Sequence, residues 1–217
     1  MPRTATRPPG NFAQVLHRLG DIPLERIRSR PAPGTAKESH LLAALKRDGV
    51  PCELVDGVLV EKAVGFTESG IASILIGYFR IYLMANRLGV VLAPDGLMRL
   101  APGLVRMPDV SFVRWSKLPG RVWPRDAIPD VCPCLAVEVV SSSNTGPEIL
   151  RKAREYFGAG TEIVWLVDPA RREVRVHASP TEFRTFRAGD LLDGGTVLPG
   201  LSIPVAALFE DLPPDEE

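Results

Sequence analysis

The fold is decided by residues 134–169, which read CLAVEVVSSSNTGPEILRKAREYFGAGTEIVWLVDP. The apolar runs at its two ends have the length and the β-branched content of buried strands. Between them, a helix is predicted from about Pro147 to Gly158. A strand, a helix and a second strand within about 35 residues predict a βαβ unit with parallel strands and a right-handed crossover. Because both strands are apolar on both faces, the sheet is expected to be covered on both sides.

Further helices and strands are predicted around this unit. A helix is expected to end at Gly49, and CELVDGVLVEK predicts a β-hairpin around Asp56-Gly57. Apolar residues at helical spacing predict a long amphipathic helix over about 68–87. More strands are expected in GVVLAP, LMRL, VRMPDVSFVRW, REVRVHASP and TEFRTFRAG, with a proline-rich loop over 116–133. We therefore predict an α/β (α+β) fold, a mixed β-sheet flanked by helices with an N-terminal hairpin and helix.

The length of 217 residues suits one domain with extensions at its ends. Residues 1–36 are rich in Pro and Arg and are interpreted as a loosely ordered basic arm, with a short helix in NFAQVLHRLG. Such an arm would either lie on DNA or simply be solvated, and charged runs are more often solvated. Residues 37–210 would form the folded domain, and residues 211–217 an acidic tail.

The amino-acid composition limits the classes of function that this chain can have. There is no apolar run of about eighteen residues that would span a membrane, and the basic start MPRTATRPPGN lacks the apolar stretch of a secretory signal. Three cysteines without framework spacing indicate a reducing compartment, so a cytoplasmic location is expected. The formal net charge is zero, which argues against a non-specific coat protein for nucleic acids.

Two acids and a lysine are the residues that suit a reaction. Asp109 begins a predicted strand after Pro108, and Glu138 lies in the apolar strand that follows along the chain. A carboxylate among β-branched residues is costly unless it is paired or binds a metal ion, so Glu138 either forms a buried ion pair with an arginine or holds a cation. Two carboxylates on neighbouring strands suit a hard divalent cation.

Lys152 lies on the helix that follows the Glu138 strand. Glu148, Lys152 and Tyr156 are four residues apart and therefore share one face of that helix. The lysine either forms a surface pair with Glu148 or extends back over the sheet, where its charge would stabilise a reacting phosphate.

With these residues assembled, the chain resembles the Uma-two family of "putative restriction endonucleases", which belong to the PD-(D/E)xK nuclease superfamily. The resemblance covers most of the chain from about residue 52 to 209 and includes ELVDGVLVEK, VRMPDVSFV, LAVEVVSSSNT, ILRKAREYFGAGTEIVWLVDP and VLPGLSIPVAALF. It implies a restriction-endonuclease-like fold and a divalent-metal-dependent endonuclease that hydrolyses phosphodiester bonds in DNA.

The resemblance also implies roles for individual residues. Asp109 and Glu138, with the backbone carbonyl of Val139, would hold Mg²⁺ or Mn²⁺, and Lys152 would be the basic catalytic group. The superfamily's simple motif has its lysine two positions after the glutamate, where this chain has Val140.

The chain departs from the family at the start of the long N-terminal helix. Many members have a histidine there, whereas this chain has Glu68-Ser69. An additional acid is therefore expected from Glu53, Glu61 or Glu68.

Two rival classes remain open. A catalytically weak nuclease-fold module that binds nucleic acid or a partner protein would explain the neutral charge and the missing in-strand lysine. A purely structural protein would not explain why a carboxylate, Glu138, lies in an apolar strand. A homodimer is expected on symmetry grounds, because cutting two strands usually needs two active sites.

Overall fold

The computed structural model describes residues 11–63 and 65–213. The α-helices are α1 (Phe12–Leu19), α2 (Glu38–Asp48), α3 (Phe66–Ala85) and α4 (Gly146–Gly158). The strands are β1 (Cys52–Val55), β2 (Val58–Glu61), β3 (Gly89–Leu92), β4 (Met98–Ala101), β5 (Leu104–Arg106), β6 (Val110–Arg114), β7 (Leu135–Val139), β8 (Ile163–Asp168), β9 (Glu173–His177), β10 (Phe183–Phe186), β11 (Leu191–Gly194) and β12 (Leu198–Pro204).

The largest sheet has six strands in the order β10-β9-β8-β7-β6-β3. β7 and β8 are parallel and connected by α4, whereas the other neighbouring strands of this sheet are antiparallel. A second sheet has the order β2-β1-β5-β4, and β11 pairs with β12. The predicted βαβ unit, the mixed sheet and the antiparallel pair β9–β10 at its edge are confirmed.

Helices cover both faces of the six-stranded sheet. On one face, Leu75 and Phe79 of α3 pack in a core cluster with Val137 of β7. On the other face, Ile149 of α4 packs in a cluster with Ala136, the preceding residue of the same strand. Because successive side chains of a strand point to opposite faces, Glu138 lies on the face that α4 covers.

The second sheet is built on the predicted hairpin. β1 and β2 are joined by Asp56 and Gly57, whose φ angles of 50° and 73° fit the left-handed conformations of a tight hairpin turn. α2 packs against this sheet through Leu41 and ends at Gly49, which has a φ of 67°. All four residues of β1 are buried, including Glu53.

The long helix α3 spans Phe66–Ala85 rather than the predicted 68–87. Phe66 is almost fully exposed, so apolar periodicity carried no information about the first turn. Among the described residues, no helix combines the length and the apolarity needed to cross a membrane.

The expectation of a loosely ordered arm over 1–36 is wrong for the part that the structure describes, residues 11–36. Val15 and Leu19 of α1, together with Ile22, are buried against the β1–β2 hairpin. Arg26 is buried and donates two hydrogen bonds of 2.8 Å to the carboxylate of Glu148 on α4. The short helix is amphipathic, and its apolar face packs instead of remaining solvated.

Two more basic residues of this segment are paired with carboxylates. Arg28 forms ion pairs with Asp48 and Glu61, and Arg18 lies 3.7 Å from Asp56. These pairs neutralise part of the positive charge that a DNA-binding arm would need.

We predict that Arg26→Ala lowers the free energy of unfolding by about 3–5 kcal/mol, because it leaves the Glu148 carboxylate buried without its cation. Urea denaturation followed by circular dichroism measures the change. The matched control is Arg30→Ala, since Arg30 is exposed and should cost less than about 0.5 kcal/mol. Equal stabilities of the two variants would contradict the anchoring role of Arg26.

Candidate active site

The two predicted acids meet where β6 and β7 pair. β6 begins at Val110, which pairs with Val137, so Asp109, directly before β6, lies beside Glu138 at the end of this pairing. The Asp109 amide donates to the carbonyl of Val137 at 3.0 Å, and Asp109 Oδ2 accepts a hydrogen bond of 2.7 Å from the amide of Val139. This short stretch of backbone fixes the Asp109 carboxylate at the end of the strand.

Helix α4 supplies two side chains that hold Glu138. Lys152 Nζ lies 2.8 Å from Glu138 Oε2, and the Tyr156 hydroxyl donates to Glu138 Oε1 at 2.5 Å. The two residues are four apart, so both project from the helix face that packs on the sheet. The helix begins after Thr145, whose hydroxyl caps the amide of Glu148, and Pro147 lies in its first turn.

The second sheet contributes Glu53 from β1 and Arg106 from β5. Arg106 donates to Glu53 Oε2 at 2.6 Å, and Lys152 Nζ lies 3.5 Å from the same oxygen. Glu53 Oε1 accepts from the amide of Met107 at 3.0 Å. Arg106 also contacts Glu155 of α4, so this arginine joins the second sheet to the helix that holds Glu138.

Lys62, which directly follows β2, completes the cluster. Its ammonium group lies 2.8 Å from Asp109 Oδ1 and donates to the carbonyl of Met107 at 2.5 Å. Its side chain is only 5% exposed. Asp109 is thus paired with a lysine from the hairpin, and Glu138 with a lysine from α4.

Two opposing effects determine the pKa of Glu53. Burial alone would raise the pKa of its carboxyl group. The charges of Lys152, Arg106 and Lys62, together with the hydrogen bond from the Met107 amide, outweigh burial and lower the pKa to about 2. Glu53 is therefore ionised in the folded protein at neutral pH.

The pKa of Glu138 is shifted in the opposite direction. Burial raises its pKa, and the neighbouring carboxylates of Asp109 and Glu53 add to the rise, while Lys152 opposes it. Burial would lower the pKa of Lys152, but Glu138 and Glu53 raise it above its ordinary value. Burial and Glu138 raise the pKa of Tyr156 well above its ordinary value, so the hydroxyl stays protonated and donates.

A cavity of about 340 Å³ opens onto this cluster. Asp109 and Lys62 are among the residues that line it, and Glu68 and Asp95 lie at its walls. Glu138 and Lys152 are not among the lining residues, and each is only 2% exposed. The Asp109–Lys62 pair therefore faces the cavity, and the Glu138–Lys152 pair lies behind it.

The structure brings Asp109, Glu138 and Lys152 together, as the sequence predicted. The alternative of a surface Glu148–Lys152 pair is wrong, because Lys152 is buried and Glu148 hydrogen-bonds to Arg26. The alternative of an arginine partner for Glu138 is also wrong, since the cation at 2.8 Å is Lys152.

The three further acids, Glu53, Glu61 and Glu68, lie in different places. Glu53 joins the cluster, Glu68 lines the cavity, and Glu61 pairs with Arg28 outside it. Sequence reasoning missed Lys62 and Arg106. The feature that could have identified them is that each is a basic residue next to an apolar stretch of a predicted strand. The expectation that Asp109, Glu138 and the carbonyl of Val139 hold Mg²⁺ or Mn²⁺ stays a prediction.

The donor chemistry fits such an ion. No three His, Cys, Asp or Glu side chains are grouped as a metal site within residues 11–63 and 65–213, so backbone oxygens or water would complete the coordination. The Val139 amide faces Asp109, and its carbonyl lies on the same side of the strand. The Lys62 ammonium group, 2.8 Å from Asp109 Oδ1, occupies the place where such an ion would contact this carboxylate.

A solved structure shares this fold. It is described as a putative nuclease belonging to DUF820 from Anabaena variabilis ATCC 29413, with a TM-score of 0.68 and 18% sequence identity. The match covers 78% of the present chain and 95% of that chain. A comparison with curated proteins found no match. The protein therefore has a mixed α+β fold similar to that of this putative nuclease.

The family follows from the sequence match. The model of the Uma2 family, described as "Putative restriction endonuclease", matches residues 37–206. The chain belongs to this family, as its sequence motifs predicted.

We predict that the stability of the protein falls as the pH decreases from about 4.5 through about 2, partly because of Glu53. Its pKa is lowered in the folded state from 4.5 to about 2, so its contribution is present above 4.5 and lost as the pH falls through 2. Urea denaturation across this pH range measures the effect.

Glu53→Gln should be less stable than the wild type at pH 7 and should show a shallower loss of stability on acidification. The matched control is Glu182→Gln, because Glu182 is an exposed glutamate. Parallel pH profiles for the wild type and Glu53→Gln would contradict the lowered pKa.

Proposed function

We propose that the protein is a divalent-metal-dependent endonuclease that hydrolyses phosphodiester bonds in DNA. The observation that carries this proposal is the pair of neighbouring carboxylates, Asp109 and Glu138, with one lysine on each. Membership in a family described as "Putative restriction endonuclease" supports the reaction class, as does the fold shared with a putative nuclease. The arrangement corresponds to a PD-(D/E)xK-type site in which the lysine comes from the following helix.

In this proposal, Asp109, Glu138 and the Val139 carbonyl would hold Mg²⁺ or Mn²⁺. The bound ion would supply a water of lowered pKa and neutralise the charge that develops on the phosphate. Asp109 faces the cavity and presents its carboxylate to the incoming substrate. Burial and two neighbouring carboxylates raise the pKa of Glu138, so an additional cation beside it would be electrostatically favourable.

The resemblance implied that Lys152 is the basic catalytic group. Because Lys152 is buried and paired with Glu138, this proposal instead gives it the role of positioning Glu138. Its ammonium group and the Tyr156 hydroxyl each take one carboxylate oxygen of Glu138, which fixes the orientation of that group. The raised pKa of Lys152 keeps it charged. Lys62, at the cavity wall, is the lysine placed to meet a substrate phosphate.

A catalytically weak module that binds nucleic acid or a partner protein is the second candidate. It is favoured by the Lys62–Asp109 pair, because this lysine stands where a metal ion would contact the carboxylate. For the nuclease, we also propose a homodimer, since cleavage of both strands requires two sites, and a cytoplasmic location.

We predict that the purified protein nicks supercoiled plasmid in the presence of Mg²⁺ or Mn²⁺ and not in EDTA. Asp109→Ala and Glu138→Gln should each reduce the rate by about 10²-fold or more, the typical loss when a charge stabiliser of the reaction is removed. Agarose-gel electrophoresis over time measures the rates. Glu138→Gln keeps the shape of the side chain, and circular dichroism confirms its folding.

The matched control is Asp211→Ala, because Asp211 is exposed and lies outside the cluster. Cleavage that persists at the wild-type rate in Asp109→Ala and Glu138→Gln would overturn the site assignment. Absence of cleavage by the wild type with either ion would favour the binding module.

We predict that Lys62→Met lowers the melting temperature in metal-free buffer, because Asp109 loses its ion pair. Mn²⁺ should then raise the melting temperature of the variant more than that of the wild type, since the ion no longer competes with an ammonium group. Differential scanning fluorimetry over a Mn²⁺ series measures both effects. Lys46→Met, a change at an exposed lysine, should behave like the wild type. Identical Mn²⁺-induced shifts in Lys62→Met and the wild type would contradict the competition.

A further inference from the structure

A second cavity, of about 220 Å³, lies under the proline-rich loop between β6 and β7. Its apolar walls include Leu97, Val113, Leu118 and Val131. Trp123 also lines it, although this side chain is 59% exposed. A large aromatic ring at the mouth of an apolar cavity offers a flat stacking surface.

The two ends of the loop are anchored to the domain. Lys117 donates to the carbonyl of Gly160 at 2.8 Å, Ile128 is buried, and Asp130 forms an ion pair with Arg99. Trp123 lies between these anchors, so the surrounding structure holds the loop that presents it.

The charged groups around Trp123 have no partners in the described part of the chain. Arg121 and Arg125 flank the tryptophan and are exposed, and neither forms an ion pair with another described residue. The carboxylates of Asp95 and Asp126, which line the cavity, are likewise unpaired among the described residues. Two cations therefore lie outside the cavity and two acceptors at its wall.

Asp95 also lines the cavity that contains Asp109, so the two cavities adjoin. A strand that follows the two cavities from Asp109 would therefore pass Asp95 on its way to Trp123. Glu138 and Lys152 line neither cavity.

We propose that this cavity is a nucleobase subsite, which takes one unstacked base of the substrate strand onto Trp123. This inference rests on the proposed function and adds its substrate form, which is a single strand or a base extruded from a duplex. Arg121 and Arg125 contact the flanking phosphates. Asp95 and Asp126 accept hydrogen bonds from an exocyclic amino group, so a base such as cytosine is preferred over thymine.

The test is fluorescence anisotropy with labelled single-stranded oligo-dC and oligo-dT of about 12 nucleotides. EDTA in the buffer prevents metal-dependent cleavage, so the test is independent of catalysis. The wild type should bind oligo-dC more tightly than oligo-dT. Trp123→Ala should weaken binding of oligo-dC by about 5- to 150-fold, the range for loss of one stacked aromatic, and Trp123→Phe should retain most of the affinity.

Two further variants make the test specific. Val122→Ala is the matched control, because Val122 is exposed beside Trp123 and is not among the residues that line the cavity. It should bind like the wild type. Asp126→Asn should reduce the preference for oligo-dC over oligo-dT.

Wild-type affinity in Trp123→Ala would overturn the subsite, and so would an equal loss in Val122→Ala. Equal wild-type affinity for the two oligonucleotides would overturn the choice of base. Each of these results leaves plasmid cleavage, and hence the proposed function, intact. Failure of the wild type to bind either oligonucleotide would overturn the subsite, and plasmid cleavage would then decide the proposed function separately.

Discussion

The buried contact between Glu138 and Lys152 constrains the rest of the structure. Both side chains are almost inaccessible to water, and their charged atoms lie 2.8 Å apart. Two ions taken out of water are stable only when their remaining hydrogen-bonding capacity is satisfied. Tyr156 satisfies the second oxygen of Glu138, and Glu53 lies near the Lys152 ammonium group. The six-stranded sheet, α4 and the second sheet must therefore pack together around this pair.

Helix α4 extends the same principle along its buried face. Glu148 anchors the N-terminal segment through Arg26, and Glu155 anchors β5 through Arg106. Each contact joins α4 to a part of the chain that is distant in sequence. The helix is thus held by charges as much as by its apolar residues, and loss of one partner would leave a buried ion uncompensated. This explains why residues 11–36 are part of the folded unit.

The sequence was sufficient for the βαβ unit and the hairpin, because these features are local. Apolar runs identify β7 and β8, and the turn residues Asp56-Gly57 identify the hairpin. It was not sufficient for the partners of the acids. Lys62 is 47 residues from Asp109, and no periodic pattern connects a hairpin strand to a distant strand end.

The N-terminal segment shows the second limit of sequence reasoning. Its proline and arginine content is typical of solvated chain. Nevertheless, Arg26 hydrogen-bonds to the carboxylate of Glu148, which is 122 residues away in the sequence. Composition describes how a segment behaves alone, whereas an ion pair depends on what the tertiary structure brings to it. The same limit applies to Lys152, for which helical spacing offered Glu148 as a partner and the fold supplied Glu138.

The two lysine–carboxylate pairs differ in their access to solvent, and we therefore assign them different roles. Glu138 and Lys152 lie behind the cavity and are held by contacts from α4 and from Glu53 of the second sheet. Asp109 and Lys62 line the cavity, so a ligand that enters meets this pair first. An ion pair that borders a cavity can exchange its partner without unpacking the core, whereas the inner pair cannot. Any response of the site to a cation or a phosphate should therefore begin at Asp109 and Lys62, with Glu138 and Lys152 as the fixed support.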